Sequence, residues 1–130
     1  MTYHLTTTST IGFNDTIERV KMLLGEEGFS ILCDIDVQSK FKEKLNIDFK
    51  RYRILGACNP VFAYKALAFD NKVGTMLPCN VVVQEVDNSH IEISAINPVE
   101  SMRAIDNDDL KGVASEILQR LWNVINRFNN

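Results

Sequence analysis

Cysteine is scarce in this chain: 130 residues hold three, Cys33, Cys58 and Cys79. So odd and sparse a set excludes the dense, even framework of a secreted disulfide scaffold, and in a reducing compartment these residues are thiols. No apolar run approaches the roughly 20 residues that a membrane-crossing helix needs. Met1 to Thr10 lacks the basic and apolar regions of a signal peptide, so the expected location is cytoplasmic. Positive charge is not in excess either. Lys plus Arg number 14 against 17 for Asp plus Glu, a formal charge of -3. That balance argues against nucleic acid, where affinity comes mainly from neutralising phosphates, and against a basic membrane-surface protein. Repeats, low-complexity tracts and Pro/Gly/Ser-rich linkers are all missing. The expected organisation is therefore one domain over 1–130, of a size that can bury a core without staples. Neither a Gly-x-Ser-x-Gly nucleophile signature nor a phosphate loop nor a dinucleotide fingerprint occurs.

What is present reads as alternating short strands and helices. Tyr3 to Ser9 is Thr-rich and alternating, which fits a first strand. Asp15 and Glu18 stand in capping-box spacing before an apolar face of Ile17, Val20, Leu23 and Leu24, and Gly28 is placed to end that helix. Ser30 to Val37 reads as a strand with Ile31, Cys33, Ile35 and Val37 on the inner face, which makes Cys33 a core residue. Asp34 and Asp36 then share the outer face, either solvated, or able to bind a cation or to act as an acid pair. Gln38 to Leu45 fits a short basic helix with Phe41 and Leu45 inward, and Tyr52 to Ala57 a third strand. Asn59-Pro60 starts a helix that runs to Asp70-Asn71, because Asn can cap and Pro suits the first helical position. Asn80 to Val86 and His90 to Ile96 form a hairpin around Asp87-Asn88-Ser89. A final helix runs from Asp108 to Phe128, with Trp122 off its apolar stripe, in a packing or dimer contact. The order predicts a two-layer α+β domain. Val81, Val82, Val83 and Val86 put apolar residues on both faces of one strand, so the open face of the sheet is expected to meet a second subunit.

Two Cys-Asn junctions carry the candidate chemistry: Cys58-Asn59-Pro60 and Pro78-Cys79-Asn80. A thiol at a helix start feels the positive end of the helix dipole, which favours thiolate. The alternative is that both cysteines are small buried hydrophobes at tight junctions. Ligand type alone would admit a zinc site of Cys33, Cys58, Cys79 and His90, but the spacing resembles no metal knuckle, so no metal or other cofactor is expected. Glu85 shares strand parity with Val81 and Val83. A carboxylate there either pairs, with Arg51 or Arg53 as the candidates, or has a raised pKa. His4 and His90 have no nucleophile or carboxylate at a telling distance.

The run Tyr52-Arg53-Ile54-Leu55-Gly56-Ala57-Cys58-Asn59-Pro60, followed by Ala63-Tyr64-Lys65-Ala66-Leu67, resembles the signature of the family called domain of unknown function 302. Gly74-Thr75-Met76-Leu77-Pro78-Cys79-Asn80-Val81-Val82-Val83 and Ile35-Asp36-Val37 match as well. Met76 stands where Leu is more usual, and Cys33 where a small polar residue is common. The resemblance implies a TATA-box-binding-protein-like α+β fold, a curved antiparallel sheet with helices on one side, a bacterial or archaeal setting, and dimers. It implies no DNA binding, because that fold hosts unrelated functions, and it brings no established activity. Some members occur near sulfur-metabolism proteins, which makes thiol chemistry worth testing.

The sequence thus predicts a homodimeric small-ligand-binding protein, with no commitment to catalysis. Its pocket is expected at the two junctions, built from Cys58, Asn59, Pro60, Met76, Leu77, Cys79, Asn80 and Glu85, with Phe62 as further apolar wall. Backbone amides at the helix start would be offered to a small anionic or sulfur-containing ligand. The alternatives are a redox or persulfide carrier using Cys58 and Cys79, and a structural dimerisation module without ligand.

Overall fold

The computed structural model describes residues 2–88 and 90–128. Met1 and Ser89, which belong to the polar N-terminus and the hairpin turn read above, lie outside the described residues, as do the last two. Five strands, β1 (His4–Ser9), β2 (Ser30–Asp36), β3 (Tyr52–Cys58), β4 (Cys79–Asp87) and β5 (His90–Ile96), form one antiparallel sheet in the order β1-β5-β4-β3-β2. The helices are α1 (Phe13–Glu26), α2 (Val37–Leu45), α3 (Pro60–Phe69), α4 (Pro98–Ser101) and α5 (Asp108–Arg127), with a 3-10 turn over Val73–Met76. This is the α+β architecture expected. Among the described residues no helix is long and apolar enough to cross a membrane.

The core lies between one face of the sheet and α1, α3 and α5. Leu55, Ala57, Val81, Val83, Ile91, Ile93 and Ala95 alternate along β3, β4 and β5 and are all buried there, against Val20, Leu24, Ala66, Leu110 and Leu121 of the helices. Each such large side chain contributes about 1.5–3 kcal/mol by leaving water. The helix stripes read from the sequence account for these contacts.

Helix α1 starts two residues before the expected capping box. Gly12 is its N-cap, so Asp15 sits inside the first turn, where its charge suits the dipole. Its end is as expected. Gly28 has φ +87°, with Phe29 N donating to Leu24 O at 2.9 Å and Gly28 N to Gly25 O at 3.1 Å, the pair of bonds of a Schellman motif.

Strand β2 departs from the sequence reading. Its pairing with β3 shifts between Ile31 and Cys33, so Leu32 is an extra, bulged residue. One inserted residue reverses the alternation beyond it. Ile31 therefore lies opposite buried Ala57, while Cys33 lies opposite Gly56 on the open face. Cys33 is exposed and is not a core residue, which corrects the expectation. Asp34 and Asp36 turn to the helix side instead. Asp34 takes a two-pronged bond from Arg53, with Nε at 2.7 Å, and Lys21 Nζ at 3.2 Å, which together hold its carboxyl below the usual range. Asp36 caps α2 by accepting from Ser39 N at 3.0 Å. Both carboxylates have structural partners, so neither is spare for a cation.

Helix α2 buries none of its residues. Leu45, expected inward, is 62% exposed; Phe41 instead meets the Phe49 ring edge-on at 5.0 Å. Trp122 is also exposed, on the solvent side of α5.

Candidate functional site

The strand register brings the two Cys-Asn junctions side by side. Ala57 pairs with Cys79 and Gly56 with Asn80, so Cys58 and Cys79 close the same end of neighbouring strands. They sit on opposite faces. Cys79 shares parity with Val81 and points into the core, 5% exposed; Cys58, one residue past Ala57, is half-buried. Burial pushes the Cys79 thiol up to about 11, with the nearby Cys58 as the second cause. In the folded state Cys79 is therefore a neutral thiol at physiological pH.

Asn59 is drawn into the scaffold. It is the N-cap of α3 but makes no side-chain cap bond. Its Nδ2 instead donates to Glu27 O at 3.2 Å, tying the end of α1 to the β3–α3 junction. A Cβ on Gly28 would stand 3.1 Å from that Nδ2, so Gly28 serves both the positive φ and the close approach of Asn59. Pro60 occupies the first turn of α3, as expected. Phe62 belongs to the core, under Lys65 and Arg120, rather than to a pocket wall.

The second junction does line a cavity. A space of about 270 Å³ is bounded by Thr75, Met76, Leu77, Pro78, Cys79 and Asn80 on one side and by Ile96, Pro98, Ser101 and Met102 on the other. Four expected site residues, Met76, Leu77, Cys79 and Asn80, meet here. Cys58, Asn59 and Pro60 stand beside it on β3 and α3 without lining it. Glu85 is at the opposite end of β4, facing Ile91 on the helix side. Its proposed arginine partners are engaged elsewhere: Arg53 with Asp34, and Arg51 over the Phe13 ring at 5.6 Å, while Glu85 N bonds Arg51 O.

The far wall was missed by the sequence reading. It comes from α4, a four-residue helix opened by Asn97-Pro98, the same strand-Asn-Pro punctuation that opens α3. Asn97 is almost fully buried. Its Oδ1 accepts from Val99 N at 3.1 Å and Glu100 N at 3.3 Å, and its Nδ2 donates to Thr2 O at 3.3 Å. The repeated Asn-Pro at the end of β5 was the signal that could have found it.

Above the cavity, Gly56 gives three groups room to converge. A Cβ there would lie 2.5 Å from Cys33 Sγ and 3.0 Å from Pro78 Cγ, with Asn80 Oδ1 at 3.8 Å. The Cys33 side chain can rotate away about one bond, but the proline ring is fixed. Gly56→Ala is therefore expected to cost about 1–2 kcal/mol. In a Cys33→Ala background the cost should fall by roughly half, since contacting residues are non-additive. Urea unfolding of the four proteins measures this, and an equal cost in both backgrounds would assign the strain to Pro78 alone.

Contrary to the expectation that no carboxylate serves it, His90 has Nδ1 2.7 Å from Asp87 Oδ1, at the hairpin end and far from the three cysteines. Among the described residues no group of three His, Cys, Asp or Glu side chains could hold a metal ion.

No curated protein matches this chain. A solved structure does: the crystal structure of an uncharacterized conserved protein DUF302 from Bacillus stearothermophilus is similar at 34% identity over 98% of both chains, with a TM-score of 0.90. The sequence pattern of the family described as "Domain of unknown function DUF302" matches residues 5–128. A match over residues 5–128, together with 34% identity over 98% of both chains, shows that the chain belongs to the DUF302 family.

Proposed function

We infer that this protein binds a small molecule in the cavity at the Pro78-Cys79-Asn80 junction. The observation that carries the reading is that Met76, Leu77, Cys79 and Asn80 converge with Pro98, Ser101 and Met102 on one space of about 270 Å³. Its walls are mainly apolar, with the Asn80 amide and the Thr75 and Ser101 hydroxyls as hydrogen-bonding groups. Pockets of this composition hold ligands by apolar burial and orient them by a few polar groups. Asn80 is the polar contact of choice, because the Asn59 amide is already committed to Glu27 O. A compact ligand with one polar or sulfur-bearing end fits this lining.

A second copy of the chain is part of the same reading. Leu32, Ile35, Leu45, Ile47 and Phe49 are all exposed around edge strand β2 and the unburied helix α2. An apolar edge of this kind favours a symmetric, self-complementary contact. This edge contact takes the place of the face-to-face contact expected from the valine-rich strand, and would leave the β4–β5–β1 part of the open sheet face uncovered.

The thiol alternative is favoured by the adjacency of Cys58 and Cys79, and weighed down by the burial of Cys79. If thiol chemistry occurs, Cys58 is the better-placed nucleophile.

Native mass spectrometry of freshly purified protein tests the ligand and the dimer together. The expected result is a dimer carrying an extra mass that Leu77→Trp, which fills the cavity, removes. Bare protein that also gains no thermal stability from a panel of small metabolites would overturn the pocket. A monomer would overturn the dimer alone.

A further inference from the structure

A second concavity lies on the open face of the sheet, over β3, β4, β5 and β1. It measures about 260 Å³ and is lined by Tyr3, His4, Tyr52, Asn80, Val82, Gln84, Glu92, Ser94, Ala95 and Ile96. The register explains its chemistry. Tyr52 pairs with Gln84 and Gln84 with Glu92, so these three side chains form one row across three strands. The outer two backbones are about 10 Å apart at the usual strand spacing, with the Gln84 side chain as floor between them. Two strands apart, the ring and the carboxylate leave room for a compact group above Gln84.

The charge of that group is set by what surrounds it. Among the described residues no Lys or Arg lines the concavity. Residues 73–102, which include both β4 and β5, contain Glu85, Asp87, Glu92 and Glu100 and not one Lys or Arg. Glu100 is paired with Arg103, and Asp87 with His90. Glu92 is half-buried, and among the described residues no hydrogen bond or ion pair reaches its carboxylate. A carboxylate partly withdrawn from water attracts a cation more strongly than an exposed one, because the local dielectric is lower. The Tyr52 ring, 6.2 Å from the Phe49 ring, lines the same concavity and brings an aromatic π system to it.

We propose that this concavity is a binding site for a small organic cation, with its ammonium group between the Tyr52 ring and the Glu92 carboxylate. The rest of the ligand runs along the next rows, toward Ser94 and Asn80. Those side chains and His4, whose Nδ1 is already 2.6 Å from Thr6 Oγ1, offer hydrogen bonds to a hydroxyl or amide tail. The site shares Asn80 and Ile96 with the cavity at Cys79 but does not depend on its occupancy. Its preference for positive charge is the reverse of the anionic ligand the helix start at Cys58 suggested.

The test is an NMR titration of the uniformly ¹⁵N-labelled full chain with choline chloride and, separately, with 3,3-dimethylbutan-1-ol, its neutral isostere. Choline is expected to give saturable shifts centred on Tyr52, Gln84, Glu92 and Ser94, and the isostere to bind about tenfold more weakly or worse. Glu92→Gln, an isosteric change on a half-exposed position, should weaken choline by about tenfold and leave the weak isostere binding and the thermal midpoint unchanged. Equal affinity for the two probes would overturn the proposal. So would choline shifts mapping away from this row, or the absence of saturation. Loss of ligand from the cavity at Cys79 in the Leu77→Trp protein, with choline binding intact, would show the two sites to be separate.

Discussion

In the folded protein at pH 8, Cys79 is expected to react with iodoacetamide at least about 200-fold more slowly than free cysteine. The thiolate is the nucleophile, so the rate follows its population. With the Cys79 thiol pushed up to about 11, roughly one molecule in a thousand is thiolate at pH 8, whereas an ordinary cysteine of pKa about 8.5 is about a quarter ionised. Burial to 5% exposure blocks the reagent further. The rate should climb nearly tenfold per pH unit between 8 and 10, the range below the raised value. Cys33, exposed on the open face, is expected to be labelled before Cys79. Peptide mass spectrometry after timed quenching reads each site. A Cys79 rate that matches free cysteine, or that levels off below pH 9, would show a stabilised thiolate and return Cys79 to the nucleophile's role. The consequence for function is direct: a slow Cys79 makes it a wall of the cavity, and leaves Cys58 and Cys33 as the thiols open to reaction.

Asn97→Ala is expected to destabilise the protein by about 2–3 kcal/mol, lowering the thermal midpoint by roughly 5–10 °C at this chain length. The side chain caps α4 through two backbone amides and holds Thr2 O from the other end of the chain. Loss of an N-cap alone costs about 1 kcal/mol. Buried groups left without partners add about 1–3 kcal/mol. Asn97→Asp keeps the accepting oxygen for Val99 N and Glu100 N but sets a buried carboxylate oxygen against Thr2 O, so it should lose about as much as Asn97→Ala. The same pair of variants probes the cavity, because α4 supplies Pro98, Ser101 and Met102 to its wall. Ligand retention should weaken in both variants, since both loosen the anchor of the helix that forms this wall. A midpoint for Asn97→Ala within a degree or two of the parent would mean that β1 and the helix wall are held by other contacts.

The split between what could be read in advance and what could not has a consistent cause. Helical stripes such as Leu110, Val113, Ala114, Ile117 and Leu121 were legible because periodicity is a local property, and all five are buried. The β4–β5 hairpin was legible for the same reason. Helix α4 was not, since four residues show no period, and only its Asn-Pro opening marks it. Cys33 was misread because a bulge depends on how two strands pair, and the β2 residues alone alternate as though unbroken.

The sequence by itself determined the family, the five strands, the long helices and the two Cys-Asn junctions, because each rests on local pattern or on a long matching run. Only the tertiary structure decided which junction has a cavity, which cysteine is buried and which is exposed, and what the open face offers. Those depend on register: Ala57 opposite Cys79 sends one thiol inward, the bulge at Leu32 sends another outward, and the Tyr52–Gln84–Glu92 row assembles from residues 32 and 8 positions apart. Strand pairing brings together side chains that no spacing along the chain relates.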